Sequence, residues 1–222
     1  MYILENIINV CSEGGLNTTM KKHNVGRKLY SVGEAYMILY RAVRTMPSFL
    51  RASKKGVMKN DFTERLMLAV TEVNRCAMCS YAHTKMALEA GMSIDEINSL
   101  LAGDLSDVRP DEMPAILFAQ HYADSRGRPS KEAWSSILRQ YGDKKSIAIL
   151  GAIRTVMLGN TYGVPLGNLK TRFSKNPHKV VDPRSSIWYE LAMLGTFIVF
   201  IPCVIVHVLA AAVLRLPLIG FR

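Results

Sequence analysis

Two cysteines, a histidine and a glutamate lie at intervals that suit thiol chemistry. Cys76 and Cys79 are separated by two residues, Cys79 and His83 by three, and Glu64 precedes Cys76 by eleven intervening residues. On a helix these spacings put Cys76, Cys79 and His83 on one face within side-chain reach. Cys76 falls in the first turn after Asn74, where unpaired N–H groups and the positive end of the dipole favour a thiolate. Such a position lowers a thiol from its ordinary pKa of about 8.5. His83 can draw a proton from Cys79, directly or through water, and a carboxylate can orient the imidazole. A Cys-x-x-Cys pair can also close into a disulfide and reopen, passing electrons two at a time. Glu64 and Glu72 both qualify as the carboxylate. A structural zinc site is the rival reading, but it needs four ligands and this stretch offers three.

The elements that must position these groups read as helices throughout. Ser31 caps a helix through Ala35, Ile38, Val43 and Met46, with apolar residues three and four apart. A second begins near Asp61 or Thr63 and carries Leu66, Met67, Val70 and Val73. A third follows Asn74-Arg75 and stops at Gly91. Ser93 and Glu96 form a capping box that opens a fourth. A fifth starts at Pro110 or Pro114 and ends near Gly127. Ser130 caps a sixth to Tyr141, and a seventh covers about 144–160 before a Gly163–Pro165 turn. No stretch shows strand alternation, so the fold is expected to be all-α, a domain of about six to seven helices followed by one C-terminal transmembrane helix.

Composition frames the rest. The chain has 222 residues, 49% of them hydrophobic and 21% charged, enough for one domain plus an appendage. Four scattered cysteines exclude a secreted disulfide scaffold and point to a reducing compartment. Residues 1–29 are expected to be an N-terminal segment without the form of a secretory signal, and Met20 is an alternative start to Met1. Residues 30–169 form the helical domain. Residues 170–186 are a basic linker with Lys170, Arg172, Lys175, His178, Lys179 and Arg184 against Asp182.

Residues 187–214 then read as a membrane helix, and 215–222 as a short tail. Leu191 to Leu214 contains no formal charge, and a helix of that length covers roughly 36 Å, more than the ~30 Å hydrocarbon core. Trp188 and Tyr189 mark one interface and Arg215 the other. The basic run before the span favours a cytoplasmic domain, and it accounts for part of the net charge of +10. Basic residues are not interleaved with aromatics and no nucleic-acid motif is present, so nucleic acid is not an expected partner. Cys203 reads as an apolar filler, and His207 as a tolerated polar group or a contact between copies.

Glu64, Cys76, Cys79 and His83 together resemble the signature of the alkylhydroperoxidase-D-like (AhpD-like) branch of the carboxymuconolactone decarboxylase family, over about residues 30–165. The resemblance implies an all-helical domain that assembles as a trimer or hexamer with sites near subunit contacts. It makes Cys79 the peroxide-attacking thiol, Cys76 the resolving partner, and His83 with Glu64 the proton relay; between the two carboxylates it favours Glu64. It implies a thiol-dependent peroxidase or disulfide reductase that needs no cofactor or metal, uses a peroxide substrate, and draws on an external dithiol or dithiol protein. Met78 departs from the pattern, because the best-known members carry histidine just before the second cysteine; His121 is a candidate substitute. Two other readings remain, a non-catalytic redox sensor that recruits a membrane partner and a decarboxylase-like activity independent of the cysteines.

Overall fold

The computed structural model describes residues 27–174 and 181–221. The alternative starts Met1 and Met20, Cys11, and the linker residues Lys175, His178 and Lys179 lie outside them. Among the described residues there are seven helices and no strand: α1 (Val32–Lys54), α2 (Asn60–Asn74), α3 (Ala77–Glu89), α4 (Ile94–Ala102), α5 (Met113–Asp124), α6 (Lys131–Arg172) and α7 (Ile187–Val213).

Helix α2 is the axis of the domain, touching α3, α4, α5 and α6. Leu66, Leu68, Ala69 and Val70 are all fully buried, so it is apolar on more than one face. Around it α1 and α6 pack along each other, with Gly151 at their crossing. A Cβ on Gly151 would lie 2.7 Å from Phe49 Cβ and 3.0 Å from the Thr45 carbonyl oxygen, so only glycine allows this approach. The polar end of α2 is tied down by Arg65, which is buried and pairs with Glu96 at 2.6 Å, Asp61 at 3.0 Å and Glu112 at 3.1 Å. That cluster holds α4 and the turn before α5 against the axis.

Local capping follows the sequence with one exchange of partners. Ser31 and Glu34 form a complete capping box on α1. Ser93 accepts from the Glu96 N–H at 3.1 Å, but the Glu96 carboxylate goes to Arg65 rather than back to Ser93. The two expected helices of 130–160 are present, joined end to end at Gly142, whose φ of 69° breaks the run. The expected turn at Gly163–Pro165 is absent. Helix continues through both residues to Arg172, although Pro165 leaves the Thr161 carbonyl without its usual donor. Burial of Gly163, Val164 and Pro165 against the domain outweighs that loss.

Helix α7 is long and apolar enough to cross a membrane. By length and composition α6 also qualifies, but 72% of its most apolar window is buried, against 11% for α7. One narrow face of α7 lies along α1 and α6. His207 stacks on Tyr40 with centroids 4.0 Å apart and shares a 3.1 Å hydrogen bond with the Tyr36 hydroxyl. Phe197 meets Tyr162 edge-on at 4.9 Å, and Val204 and Ala211 are buried with Leu39 and Tyr40. At the root of α7, Glu190 is fully buried and takes Arg172 Nε on both oxygens, at 2.8 and 3.1 Å, plus the Ser185 hydroxyl. Beyond its end, the carbonyls of Leu216 and Pro217 accept from Arg44, and that of Leu218 accepts from Arg154. The opposite face is bare: Ile198, Val199, Val206, Leu209 and Val213 are each more than three-fifths exposed. Cys203 is exposed too, so it does not fill a core.

Candidate thiol redox site

A single residue makes the corner that places the sulfurs. Helix α2 ends at Asn74, Arg75 adopts the left-handed conformation (φ 53°, ψ 46°), and Cys76 is already the N-cap of α3. Asn74 is fully buried; its side-chain oxygen accepts from the Tyr30 hydroxyl at 2.9 Å and its carbonyl from the Lys28 N–H at 3.1 Å. The extended segment 27–30 is thereby laid across the corner.

Cys76 and Cys79 are joined as a disulfide with their Cα atoms 5.2 Å apart. Cys76 Sγ accepts the Cys79 N–H at 3.3 Å, the bond an N-cap oxygen makes elsewhere. A sulfur in that place has its anionic form favoured by an orphan N–H and by the helix dipole. Cys76 is 1% exposed and Cys79 9%, so Cys79 is the sulfur nearer to solvent. Leu29 and Val164 pack on the pair.

The expected acid–imidazole couple is present. His83 Nδ1 lies 2.9 Å from Glu64 Oε2, joining α3 to the buried side of α2. With Nδ1 held by the carboxylate, Nε2 is the nitrogen left for proton exchange, on a ring one turn beyond Cys79. Glu72 is engaged elsewhere: its carboxyl lies 3.9 Å from Arg75 and 3.8 Å from where a Gly103 Cβ would stand. Burial pushes the Glu72 carboxyl up from its ordinary range, against the pull of Arg75 and Lys28. His121 Nε2 accepts the Ser130 N–H at the α5–α6 turn, a structural task away from the relay. Met78 is 37% exposed.

Gly163 is the site residue that sequence reasoning missed. A Cβ there would lie 2.7 Å from Cys79 Sγ and 2.8 Å from Cys76 Sγ, so the α6 backbone itself forms the wall behind the disulfide. Glycines at 159, 163 and 167, four apart and so on one helix face, are the sequence signal for such a close approach. One turn before Gly163, Asn160 accepts from Thr71 at 3.3 Å, tying α6 to α2. Among the described residues the buried side-chain nitrogens of Asn74 and Asn160 meet no acceptor, on the elements that carry the sulfurs and their wall.

The outer side of α3 exposes Met78, Tyr81 and Met86 (37%, 46% and 44%) beside the exposed Lys85–Glu89 pair. Among the described residues no group of three or more His, Cys, Asp or Glu side chains is arranged to hold a metal ion.

Residues 40–121 match the family model described as Carboxymuconolactone decarboxylase family. The match is shorter than the stretch of about 30–165 read from the sequence; it contains Glu64, Cys76, Cys79 and His83, and it leaves out Gly163 and α7. No curated protein and no solved structure matches the chain.

Proposed function

From a chain whose residues 40–121 match the carboxymuconolactone decarboxylase family model, we propose a membrane-tethered thiol peroxidase or disulfide reductase of the AhpD-like type. One observation carries this reading: a Cys76–Cys79 disulfide at the start of α3, with His83 one turn along the same helix and held by Glu64 of α2.

In the reduced enzyme Cys79, the more accessible sulfur, is the attacking thiolate, and His83 takes its proton. The thiolate attacks the terminal hydroxyl oxygen of a peroxide ROOH, the O–O bond breaks, RO⁻ departs, and Cys79 becomes a sulfenic acid. The proton held by His83 goes to the departing oxygen, giving ROH. Cys76 then attacks the sulfenic sulfur; an S–S bond forms, an S–O bond breaks, and water leaves with the thiol proton. An external dithiol, free or on a protein, exchanges with the disulfide and is itself oxidised, which restores both thiols. Glu64 holds the imidazole in position and stabilises it when charged.

In this reading the exposed Met78, Tyr81 and Met86 of α3 are covered by other copies of the chain in a trimer or hexamer. Helix α7 anchors the domain through its bare apolar face; a full crossing needs its contacts with α1 and α6 and the Arg44 and Arg154 bonds to the tail to open, and the basic run before it then keeps the domain on the cytoplasmic side. Replacing Cys79 by serine should lower peroxide consumption by purified protein at least about a hundredfold; turnover that persists defeats the enzyme. The depth of Cys76 and the methionine at 78 favour one second reading, a redox sensor. It predicts a reversible Cys76–Cys79 disulfide with negligible turnover, and both quantities can be measured on one sample.

A further inference from the structure

Away from the sulfurs, the turn between α5 and α6 faces the first turns of α1 across a cleft of about 510 Å³. Its walls carry Arg41, Arg126 and Arg128 against a single acid, Glu34, and Gly33 of the α1 N-terminus opens onto it. Arg126 is spoken for, since it pairs with Glu34 at 2.8 Å. Among the described residues Arg41 donates only to a neutral group, the Gly127 carbonyl at 3.1 Å. Gly127 permits that contact, because a Cβ there would meet Arg41 Nη1 at 2.9 Å.

Behind Arg41 stands Arg154, 2% exposed, whose partners are the Tyr122 hydroxyl and the carbonyls of Arg41 and Leu218. Among the described residues none of Arg41, Arg128 and Arg154 makes an ion pair. Burial, and after it the like charges of Arg154 and Arg128, hold the Arg41 guanidinium below its ordinary range. A folded chain gains little from gathering cations without a counter-charge, since a buried charge needs a partner.

We propose that this cleft binds a phosphate group, with the forks of Arg41 and Arg128 on its oxygens. Guanidinium forks match phosphate oxygens two at a time. Arg154 supplies long-range charge from beneath. The group can arrive free in solution or as a lipid headgroup. The second source has a geometric basis: Arg154 and Arg44 also hold the tail that follows α7, so the cleft lies beside the end of the bare apolar helix.

The test uses the full chain in a nonionic detergent for inorganic phosphate, by calorimetric titration at constant ionic strength. A second arm uses phosphatidylcholine vesicles with and without phosphatidic acid. Arg128→Ala is the diagnostic variant, because Arg128 is exposed and lies outside the thiol site; Arg51→Ala, exposed at the far end of α1, removes the same charge elsewhere. Saturable phosphate binding that weakens about tenfold in R128A and is unchanged in R51A supports the cleft with a free phosphate source. No phosphate binding, but a phosphatidic-acid-dependent vesicle affinity lost in R128A and kept in R51A, supports it with a lipid source. Equal losses in both variants, no effect of R128A, or no binding in either arm overturns it. Peroxide turnover is expected to be unchanged in R128A, so this result and the thiol reading fail separately.

Discussion

The corner between α2 and α3 and the outlying helix α7 are held by opposite means. At the corner, polar groups at fixed spacing decide the geometry: one left-handed residue, a buried asparagine, a cysteine serving as helix cap. Each is local, and each would be lost by a shift of one residue. Helix α7 is instead specified by composition, a run of apolar residues with no charge for 24 positions. Its few specific contacts sit at the two ends and at His207 in the middle. Chemistry can be read from spacing, whereas a helix defined by hydropathy acquires its address only from what it touches.

The largest test of this contrast is Arg172→Ala. It leaves the fully buried Glu190 carboxylate without its guanidinium, which should cost about 3–5 kcal/mol in urea unfolding of the full chain. A loss under about 1 kcal/mol would mean that α7 is not rooted there. Gly163→Ala tests the corner. The added methyl collides with both bonded sulfurs, while free thiols can rotate away, so the alanine should disfavour the disulfide by about 1–3 kcal/mol. Titration against dithiothreitol should then show the equilibrium moved at least about fivefold toward the dithiol; an unmoved equilibrium removes Gly163 from the site.

His207→Phe keeps the stack on Tyr40 but deletes the bond to the Tyr36 hydroxyl, for an expected cost of about 0.5–1.5 kcal/mol. No change would make α7 a helix placed by hydropathy alone. The smallest effect belongs to Glu72→Gln. The folded state holds the Glu72 proton more tightly than the unfolded chain, whose carboxyl titrates near its ordinary 4.5. The wild type therefore loses stability as pH rises from below 4.5 through the higher folded value. The glutamine variant should be more stable by under about 1 kcal/mol at pH 7 and lose that advantage in acid; a gain that persists below pH 4 breaks the linkage.

Much of this was legible in the residues. Helix periods, caps at Ser31, Ser93 and Ser130, and the thiol–imidazole spacing all express interactions within one or two turns. What escaped is non-local. Gly163 and Pro165 look like a turn because their backbone preferences are local, yet α6 runs through them since their burial against the domain compensates. Leu29 and Val164 cover sulfurs more than 40 residues away in sequence. Arg172 and Arg184 read as charges for a lipid surface, but each closes on an internal acid, Glu190 and Asp182. The choice between Glu64 and Glu72 also needed the fold, because both lie on α2 and only one meets the imidazole.

The four residues 27–30 tie these two regions together. Leu29 rests on the sulfur pair, the Arg27 carbonyl accepts from Arg184, and the Tyr30 carbonyl accepts from the Tyr189 hydroxyl at the base of α7. This short strap is pinned at both ends, Arg27 and Tyr30, to the segment that roots the apolar helix, and between them Leu29 bears on the redox couple. A tug on that root is therefore transmitted to the cover over the sulfurs, and a rearrangement of the sulfurs pushes back along the same four residues.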